Sequence, residues 1–526
     1  MMKKNKSLLA GVALLLTLVS TGCEIPGAQG IQKVMTLGGA QSPSQRFSLL
    51  SATDDLPYGR PHSLPTSLAR YPNLLLPART FFKQVPVGSS PQKVFAHYMV
   101  ALPMLGPNGG VQGAIQEILM AQSMGLDGFA LNVGAWFGDP KYMTATANLF
   151  AAAQQLKTGF LLFFSADMTG VGAADVLDMM ATYNRHPNYF RVEGLPVLST
   201  YAAGSPRDTD FPHPVDWWKH RVLMPLQAQG IGVYFVPDVL ANSWESPNPE
   251  GRIAEWSSII QGGLDWTVLN VINNDAGNWV VNNTNQANST ALAAAHKTLM
   301  AAVVNQYWGS LQTSISRPYH DFKAGLGEKL QWEDIIHVSH PQWVEILTWN
   351  DKEESYMMPI DDFMKYNDWG LPKGHYKPHA AYGELERYYI QWYKTGIQPT
   401  LTKDSIFYFY RTHSVNLVAS NDPKGNCYWF LPSGSGTDTI YVTVALTSPA
   451  TLTVQTGGGT PGSQTHTFEL PAGIQNVEVT PFVPGAQSFS LSRQGHPLNS
   501  IQGEPIVTQS ELYDYWMTTG FVETAP

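Results

Sequence analysis

The segment from Val344 to Met358 holds the side chains best suited to chemistry. An apolar, strand-like run, VEILTW, ends abruptly in a cluster of carboxylates at Asp351, Glu353 and Glu354. In parallel α/β architectures, active sites lie at the carboxyl ends of the strands. A Trp beside two acids combines a flat apolar surface with a proton donor and a base, which is what a sugar-processing site needs. The segment therefore predicts a carbohydrate-active site.

Asp351 and Glu354 form the pair most relevant to catalysis. Cleavage of a glycosidic bond needs one carboxylic acid to protonate the leaving oxygen and a second carboxylate to activate water or attack directly. Residues three apart face the same way on a helical turn, and close like charges raise the pKa of one of them. The same spacing also suits a helix start, with Asp351 as the cap and Glu354 as the capping-box acid. Both interpretations stay open at this point.

Polar residues also follow other apolar runs along the chain. These residues are His97, Asn132, Asp167, Thr200, Tyr201 and Asp238. A single Asp or Asn in such a place is more simply a helix cap. In a barrel, however, the ends of all strands converge on one face. Their recurrence therefore predicts that these side chains line one pocket.

The elements that would position these residues alternate between strand-like and helix-like runs over residues 91–398. Eight strand candidates within about 300 residues predict an α/β fold, a TIM-like (β/α)8 barrel. The strand candidates are Val94–Tyr98, Gly128–Asn132, Gly159–Ser165, Pro196–Tyr201, Gly232–Pro237, Leu264–Val268, Leu311–Ser316 and Val344–Trp349.

The pattern of apolar and polar residues changes after Pro399. Five runs alternate with a period of two between Gly-, Pro- and Ser-rich turns, which predicts a C-terminal antiparallel β-sandwich over residues 399–526. The runs are Ile440–Leu446, Ala450–Gln455, Thr465–Leu470, Val477–Val483 and Ser488–Ser492.

Composition narrows the classes of partner. The chain has 526 residues with a formal net charge of -9 and no Lys/Arg run, which argues against nucleic acid. Its 15 Trp and 23 Tyr are compatible with carbohydrate binding and equally with a large core. No Cys/His cluster has metal-ligand spacing, so we expect no structural zinc. We expect no other metal site and no cofactor.

The N-terminus resembles an export signal. Basic residues precede an apolar run at residues 8–19 that is too short to favour a membrane span. The run closes on Ser20-Thr21-Gly22-Cys23, which resembles a bacterial lipobox with Cys23 as the lipidated residue. We therefore expect a signal peptide at residues 1–23, a Pro/Gly/Ser-rich tether at residues 24–90, and an exported protein anchored to a membrane. Ordinary signal cleavage with secretion is the alternative.

Several motifs together resemble glycoside hydrolase family 71, the α-1,3-glucanases or mutanases. The block TWNDKEES at residues 348–355 is the most specific, and the resemblance runs in order from about Lys93 to the end. The supporting motifs are FAHYMV at 95–100, GLDGFALN at 125–132, FFSAD at 163–167, FVPD at 235–238, YYI at 388–390, YKTG at 393–396, YRTH at 410–413 and TSPAT at 447–451.

The resemblance implies a barrel with an appended β-sandwich that hydrolyses α-1,3-glucan in endo fashion, with inversion and without metal. The family's acid pair falls on Glu354 as general acid and Asp351 as base, a pair that usually stands roughly 6.5–9.5 Å apart in inverting enzymes. Because residues three apart reach that separation only if they splay, Asp238 or Asp167 could supply an acid instead. The remaining residues assigned to substrate are His97, Asn132, Tyr201, Trp349, Asn350 and His379.

The chain departs from the family at Lys352-Glu353, where Tyr-Gly is usual, and this departure bears on the substrate more than on the reaction. One alternative is a hydrolase of another α-linked glycan. A second, of a different class, is a non-catalytic surface lipoprotein that binds glycan.

Overall fold

The computed structural model describes residues 81–84, 90–103, 109–206, 211–239, 249–264, 266, 271–273, 279–281, 284–308, 317–351, 377, 379–421, 428–431 and 437–524. Cys23, Glu353, Glu354, Cys427 and most of the predicted tether lie outside these ranges. Within them, none of the helices has the length and apolar character needed to cross a membrane.

The N-terminal two-thirds of the chain alternates strands with helices. Its strands are β1 (Lys93–Met99), β2 (Gly128–Val133), β3 (Leu161–Asp167), β4 (Arg191–Val192), β5 (Leu195–Tyr201), β6 (Tyr234–Pro237), β7 (Gly262–Leu264), β8 (Val271–Asn273), β9 (Trp279–Val281), β10 (Thr298–Val304), β11 (Tyr307–Trp308), β12 (Arg317–His320) and β13 (Trp343–Leu347). Its α-helices are α1 (Gly110–Ser123), α2 (Pro140–Leu156), α3 (Ala173–Tyr183), α4 (Pro214–Trp217), α5 (Met224–Ala228), α6 (Pro249–Trp256), α7 (Thr284–Ala294), α8 (Ala324–Asp334) and α9 (Ala380–Thr395). Two π-helical turns lie at Trp218–Leu223 and Ile335–Ser339.

Eight of these strands are parallel and hydrogen-bonded in the order β6-β5-β3-β2-β1-β13-β10-β7. A parallel bridge between Asp238, just after β6, and Leu264 of β7 links the two ends of that path. The strands are nearly all apolar because both of their faces are covered. The chain is thus a mixed α/β protein whose sheet curves into at least a half-barrel, with all carboxyl ends on one side.

The strand next to β13 differs from the predicted one. Leu311–Ser316, predicted as the seventh strand, lies outside the described residues, and the strand that pairs with both β13 and β7 is β10 (Thr298–Val304). Its sequence, TLMAAVV, continues the Ala- and Leu-rich run of α7, and those residues favour helix on propensity alone. Tertiary pairing overrides that preference, because β10 is buried along almost its whole length.

The C-terminal part of the chain consists of β-strands. They are β14 (Ser405–Tyr410), β15 (Tyr428–Leu431), β16 (Ile440–Leu446), β17 (Ala450–Gly458), β18 (Gln464–Leu470), β19 (Gly473–Val479), β20 (Gly485–Arg493), β21 (His496–Ile506) and β22 (Thr518–Glu523). Eight of them form two four-stranded antiparallel sheets, with orders β19-β16-β14-β22 and β18-β17-β20-β21. The inner faces of these sheets share one apolar cluster that includes Tyr408, Val442, Val454 and Phe489. In this region β15 pairs with β12 rather than with either of these two sheets.

One core runs from the parallel sheet into the first C-terminal sheet. Phe407 and Phe409 of β14 belong to the same apolar cluster as the helices around the parallel sheet, and the Phe409 ring lies 4.6 Å from that of Tyr382 on α9 at a tilt of 44°. Phe81, which falls in the predicted tether, is buried in this cluster with its ring 5.2 Å from that of Phe407. The first C-terminal sheet therefore has apolar contacts on both faces.

The contact between α8 and β16 is unusually close. A Cβ at Gly325 would lie 2.0 Å from Oγ1 of Thr443. We therefore expect Gly325→Ala to reduce the free energy of unfolding by about 1–3 kcal/mol through overpacking, as measured by urea denaturation. Gly204→Ala, where a Cβ would meet nothing within 4 Å, is the matched control. Equal stability of the two variants would contradict the close approach.

A buried pair of acids joins α8 to α9. Glu386 accepts hydrogen bonds from Nδ2 of Asn305 at 3.1 Å and from Nε1 of Trp332 at 2.6 Å. Burial raises the pKa of Glu386 to about 7. Burial and the nearby Glu386 carboxyl also raise the pKa of Glu328 well above its usual range. The pair therefore holds a proton at a pH where free Glu is ionised.

This pair predicts a loss of stability at higher pH. Because the folded pKa of Glu386 lies above the ordinary 4.5, the folded chain binds more protons, and its stability falls as the pH rises from 4.5 through about 7. The full effect is about 3 kcal/mol. Glu386→Gln, which removes the group that titrates, should flatten this dependence in denaturation measured below and above pH 7. Glu333→Gln, on the more exposed side of α8, should leave it unchanged, and the same pH slope in all three proteins would refute the assignment.

Candidate active site

Asp351 lies at the carboxyl end of β13, where the sequence placed it. The residue is 6% exposed. The hydroxyl of Thr348 accepts a hydrogen bond from the Asp351 backbone N–H at 2.9 Å, which holds the turn that follows the strand. Glu354, its predicted partner, lies outside the described residues, so the separation of the two carboxylates stays a prediction.

A cluster on the inner side of the curved sheet joins three strands and the segment that follows β7. Nδ1 of His97 on β1 lies 2.6 Å from Oε1 of Glu345 on β13, and both side chains are fully buried. The His97 ring meets Trp266 edge-on at 4.3 Å, and Trp266 meets Tyr201 of β5 at 5.1 Å. Since β1 and β5 are not neighbours in the sheet, these contacts cross its interior.

Two buried polar atoms of this cluster have no hydrogen-bond partner among the described residues. They are Nε2 of His97 and Oε2 of Glu345. Unsatisfied buried groups of this kind are rare, and they are often explained by a function or by water. The pair therefore offers hydrogen-bonding capacity inside the carboxyl-terminal half of the sheet.

The other predicted pocket residues also occupy strand ends. Asn132, in β2, is buried. Oδ1 of Asp167 accepts hydrogen bonds from the backbone and hydroxyl of Thr169, which stabilises the turn after β3. Oδ2 of Asp238 accepts a hydrogen bond from the backbone of Ala202 at 3.2 Å. Asp167 thus stabilises its own loop and Asp238 the neighbouring loop after β5, and both follow the carboxyl ends of their strands.

The side chain of Trp349 does not lie on the face of the sheet where a sugar would bind. Its indole is fully buried, donates to Oε2 of Glu117 on α1 at 3.1 Å and packs 5.2 Å from Phe129. It therefore lies between the sheet and α1, and this placement contradicts the role in sugar contact predicted for it. Burial, reinforced by the Glu117 carboxyl, also raises the pKa of Tyr98 in the same layer.

The side chain of Asn350 also forms hydrogen bonds within the protein. Its Oδ1 accepts from the Met99 N–H at 2.7 Å, and its Nδ2 donates to the carbonyls of Met99 and Leu102. These three bonds use the amide to fix the loop after β1, which contradicts the predicted contact with substrate. The conformation of the loop after β1 therefore depends on the Asn350 side chain.

His379 occupies the N-cap position of α9 and is fully buried. Its ring lies 5.4 Å from that of Tyr382 and 6.0 Å from that of Trp516, in the C-terminal segment. The structure thus places His379 between α9 and the C-terminal region, away from the contacts that link His97, Trp266 and Tyr201. Among the described residues, no group of three or more His, Cys, Asp or Glu is arranged to hold a metal ion.

Comparison with known proteins identifies the family of this chain. Residues 90–525 match the family model of glycosyl hydrolase family 71. The chain belongs to that family. It is 29% identical over 413 residues to the glucan endo-1,3-alpha-glucosidase agn1 of Schizosaccharomyces pombe, covering 77% of this chain and 89% of that protein. It is 28% identical over 454 residues to the mutanase Pc12g07500 of Penicillium rubens, covering 84% and 91%. A solved GH99 endo-alpha-mannosidase from Bacteroides thetaiotaomicron aligns with a TM-score of 0.40 and 13% identity over 57% of this chain and 97% of that one.

As a family 71 protein, the chain is a glycoside hydrolase. The sequence analysis did not predict two residues of the cluster around His97, namely Glu345 and Trp266. Glu345 had a detectable signal, because it is the one charged residue inside the apolar run of β13 and alternates with Val344 and Ile346. Trp266 follows a strand of three residues, which is too short for periodicity to reveal which way the side chain points.

Proposed function

We propose that this family 71 enzyme hydrolyses α-1,3-glucan with a pair of carboxylates, Asp351 and Glu354. The observation that carries the proposal is the family match over residues 90–525, joined to relatives named for that reaction over 77% and 84% of the chain. Asp351 at the carboxyl end of β13 supports it, because catalytic groups of parallel α/β enzymes sit at this position.

In the proposed mechanism Glu354 protonates the oxygen of the leaving sugar, and Asp351 activates a water molecule on the opposite face of the ring. Such a displacement inverts the configuration at the anomeric carbon. Burial of Asp351 limits competing solvent and strengthens electrostatic interactions in the site. We also propose that the enzyme acts in endo fashion, cleaving bonds within the glucan chain rather than at its end.

The scaffold we infer for this reaction is a complete (β/α)8 barrel. Eight parallel strands and the Asp238–Leu264 bridge support it. His97, Asn132, Tyr201, Asp167 and Asp238 would then surround the substrate, with Asp167 or Asp238 able to supply an acid if Glu354 does not. His379 is a more distant substrate contact in this scheme.

We also propose that the chain is exported and held at a membrane through a lipid on Cys23. The support is the sequence from the basic N-terminus to Ser20-Thr21-Gly22-Cys23. Mass spectrometry of the membrane-bound protein, beside Cys23→Ala, tests this. A lipid adduct that the variant lacks is expected, and an unmodified Cys23 would point to ordinary cleavage and secretion.

Sugar release by the soluble form without residues 1–23 tests the reaction. We expect reducing ends to appear from insoluble α-1,3-glucan, with the β-anomer as the first product by NMR. Activity only on α-1,4- or α-1,6-glucan would keep the enzyme and change the substrate. Glycan binding without turnover on any polymer would favour a binding lipoprotein.

A further inference from the structure

Phe137 is an aromatic side chain left in solvent on the face where the parallel strands end. It lies in the loop that joins β2 to α2 and is 57% exposed. The other large exposed apolar side chains of the described residues are aliphatic or Met, and they include Met143 at 36%, on α2. Single exposed apolar residues are common on protein surfaces, so the position of Phe137 has to be argued from its surroundings.

The loop around Phe137 is firmly held. The adjacent Trp136 is 1% exposed and donates from Nε1 to Oδ2 of Asp178 at 2.7 Å. The backbone N–H of Phe137 donates to Oδ1 of Asp175 at 3.2 Å, while Oδ2 of Asp175 accepts from the N–H of Gly172 at 2.9 Å. Two carboxylates in the first two turns of α3 therefore fix the Trp136–Phe137 pair, with one ring buried and the other exposed.

The loops after β2 and β3 lie against one another. A Cβ placed on Gly170 would lie 1.8 Å from the carbonyl oxygen of Gly134, so the two backbones touch. A Cβ placed on Gly134 would lie 3.3 Å from the Tyr142 hydroxyl and 3.7 Å from Oδ2 of Asp167. The loop that carries the exposed ring of Phe137 therefore also approaches a hydroxyl and a carboxylate oxygen, at Gly134. That pairing suits a pyranose, which presents axial C–H bonds on one face and hydroxyls around its edge.

We propose that Phe137 is a stacking platform for a glucose unit of the polymer that lies away from the bond being cleaved. This rests on the proposed function. Phe137 follows β2, which β1 separates from β13 and Asp351 in the sheet, so about 10 Å of sheet lies between the two strand ends. A contact away from the cleaved bond strengthens the binding of long chains more than that of the shortest substrates.

The test compares Phe137→Ala and Phe137→Tyr with a matched control, Ile397→Ala. Ile397 is 60% exposed and follows the C-terminus of α9, which places it toward the opposite end of the sheet. Binding to insoluble α-1,3-glucan is measured by depletion from solution. In addition, kcat and KM are measured on the polymer and on the shortest α-1,3-linked oligosaccharide that the enzyme cleaves.

Loss of the ring in Phe137→Ala should weaken polymer binding and raise polymer KM by roughly 3- to 10-fold, the range expected for one aromatic contact. We expect kcat, and both constants on the short substrate, to stay unchanged. Phe137→Tyr should retain polymer binding, and Ile397→Ala should behave as the parent protein does.

Unchanged polymer binding in Phe137→Ala would overturn the platform, as would an equal loss in Ile397→Ala. A lower kcat on the short substrate would also overturn it, because Phe137 would then affect the reacting bond. A parent protein inactive on α-1,3-glucan would refute the proposed function. In that case depletion assays on the glycan that the parent does bind would still decide whether the ring at position 137 contributes.

Discussion

Asp351→Asn is expected to lower kcat on α-1,3-glucan by about 10²–10⁴-fold, the range typical for losing a general base. The amide has nearly the shape of the carboxylate but cannot take a proton from water. The backbone bond from Asp351 to the Thr348 hydroxyl does not involve the side chain, so the turn should be retained. Initial rates of reducing-sugar release by the purified variant give the measurement, with equal thermal stability as the check on folding.

Glu354→Gln should cause a loss of similar size if it removes the general acid. Its effect should shrink on substrates with a good leaving group, which need less protonation, whereas that of Asp351→Asn should not. Glu353→Gln, a neighbouring carboxylate without a proposed role, is the control and should keep near-parental rates. Retention of activity within a few fold by Asp351→Asn would transfer the base to Asp167 or Asp238, and the same substitution at those two positions would identify it.

Glu345→Ala is expected to reduce the free energy of unfolding by about 3–5 kcal/mol, the usual result of removing one partner of a buried pair. His97 and Glu345 are both fully buried, and Nδ1 of His97 contacts Oε1 of Glu345 at 2.6 Å. Without the carboxylate, both nitrogens of the imidazole would be buried without a partner, since Nε2 already has none among the described residues. Urea denaturation at constant pH measures the change.

A double-mutant cycle separates this pair from simple loss of volume. We expect His97→Leu to be costly for the same reason, whereas His97→Leu with Glu345→Leu should cost much less than the sum of the single changes, because no polar group is then left unpaired. Glu345→Gln, which keeps one hydrogen bond, should lie between the parent protein and Glu345→Ala. Single changes that simply add, each below about 1 kcal/mol, would show that the contact is not an important stabilising pair.

Much of the fold could be predicted from periodicity. The runs at β1, β2, β5 and β13 are apolar, β-branched or aromatic and are bounded by turns, so their strands were found close to their true bounds. Ile440–Leu446 was predicted with the bounds of β16. Alternation failed where helix-favouring residues form a buried strand, as in β10, and where a strand is only three residues long, as in β7. In those places the partner strands decide the conformation, and they are distant in sequence.

The sequence by itself determined the family, the reaction class and the position of Asp351 at a strand end, because these follow from a local motif and from the order of strands. Only the tertiary structure decided which way each polar side chain faces. It placed Trp349 against α1 and Asn350 on the loop after β1, and it brought Glu345 to His97 from 248 positions away. A one-residue step along a strand reverses the face on which a side chain lies. Which face becomes a site depends on helices and strands that pack from elsewhere in the chain.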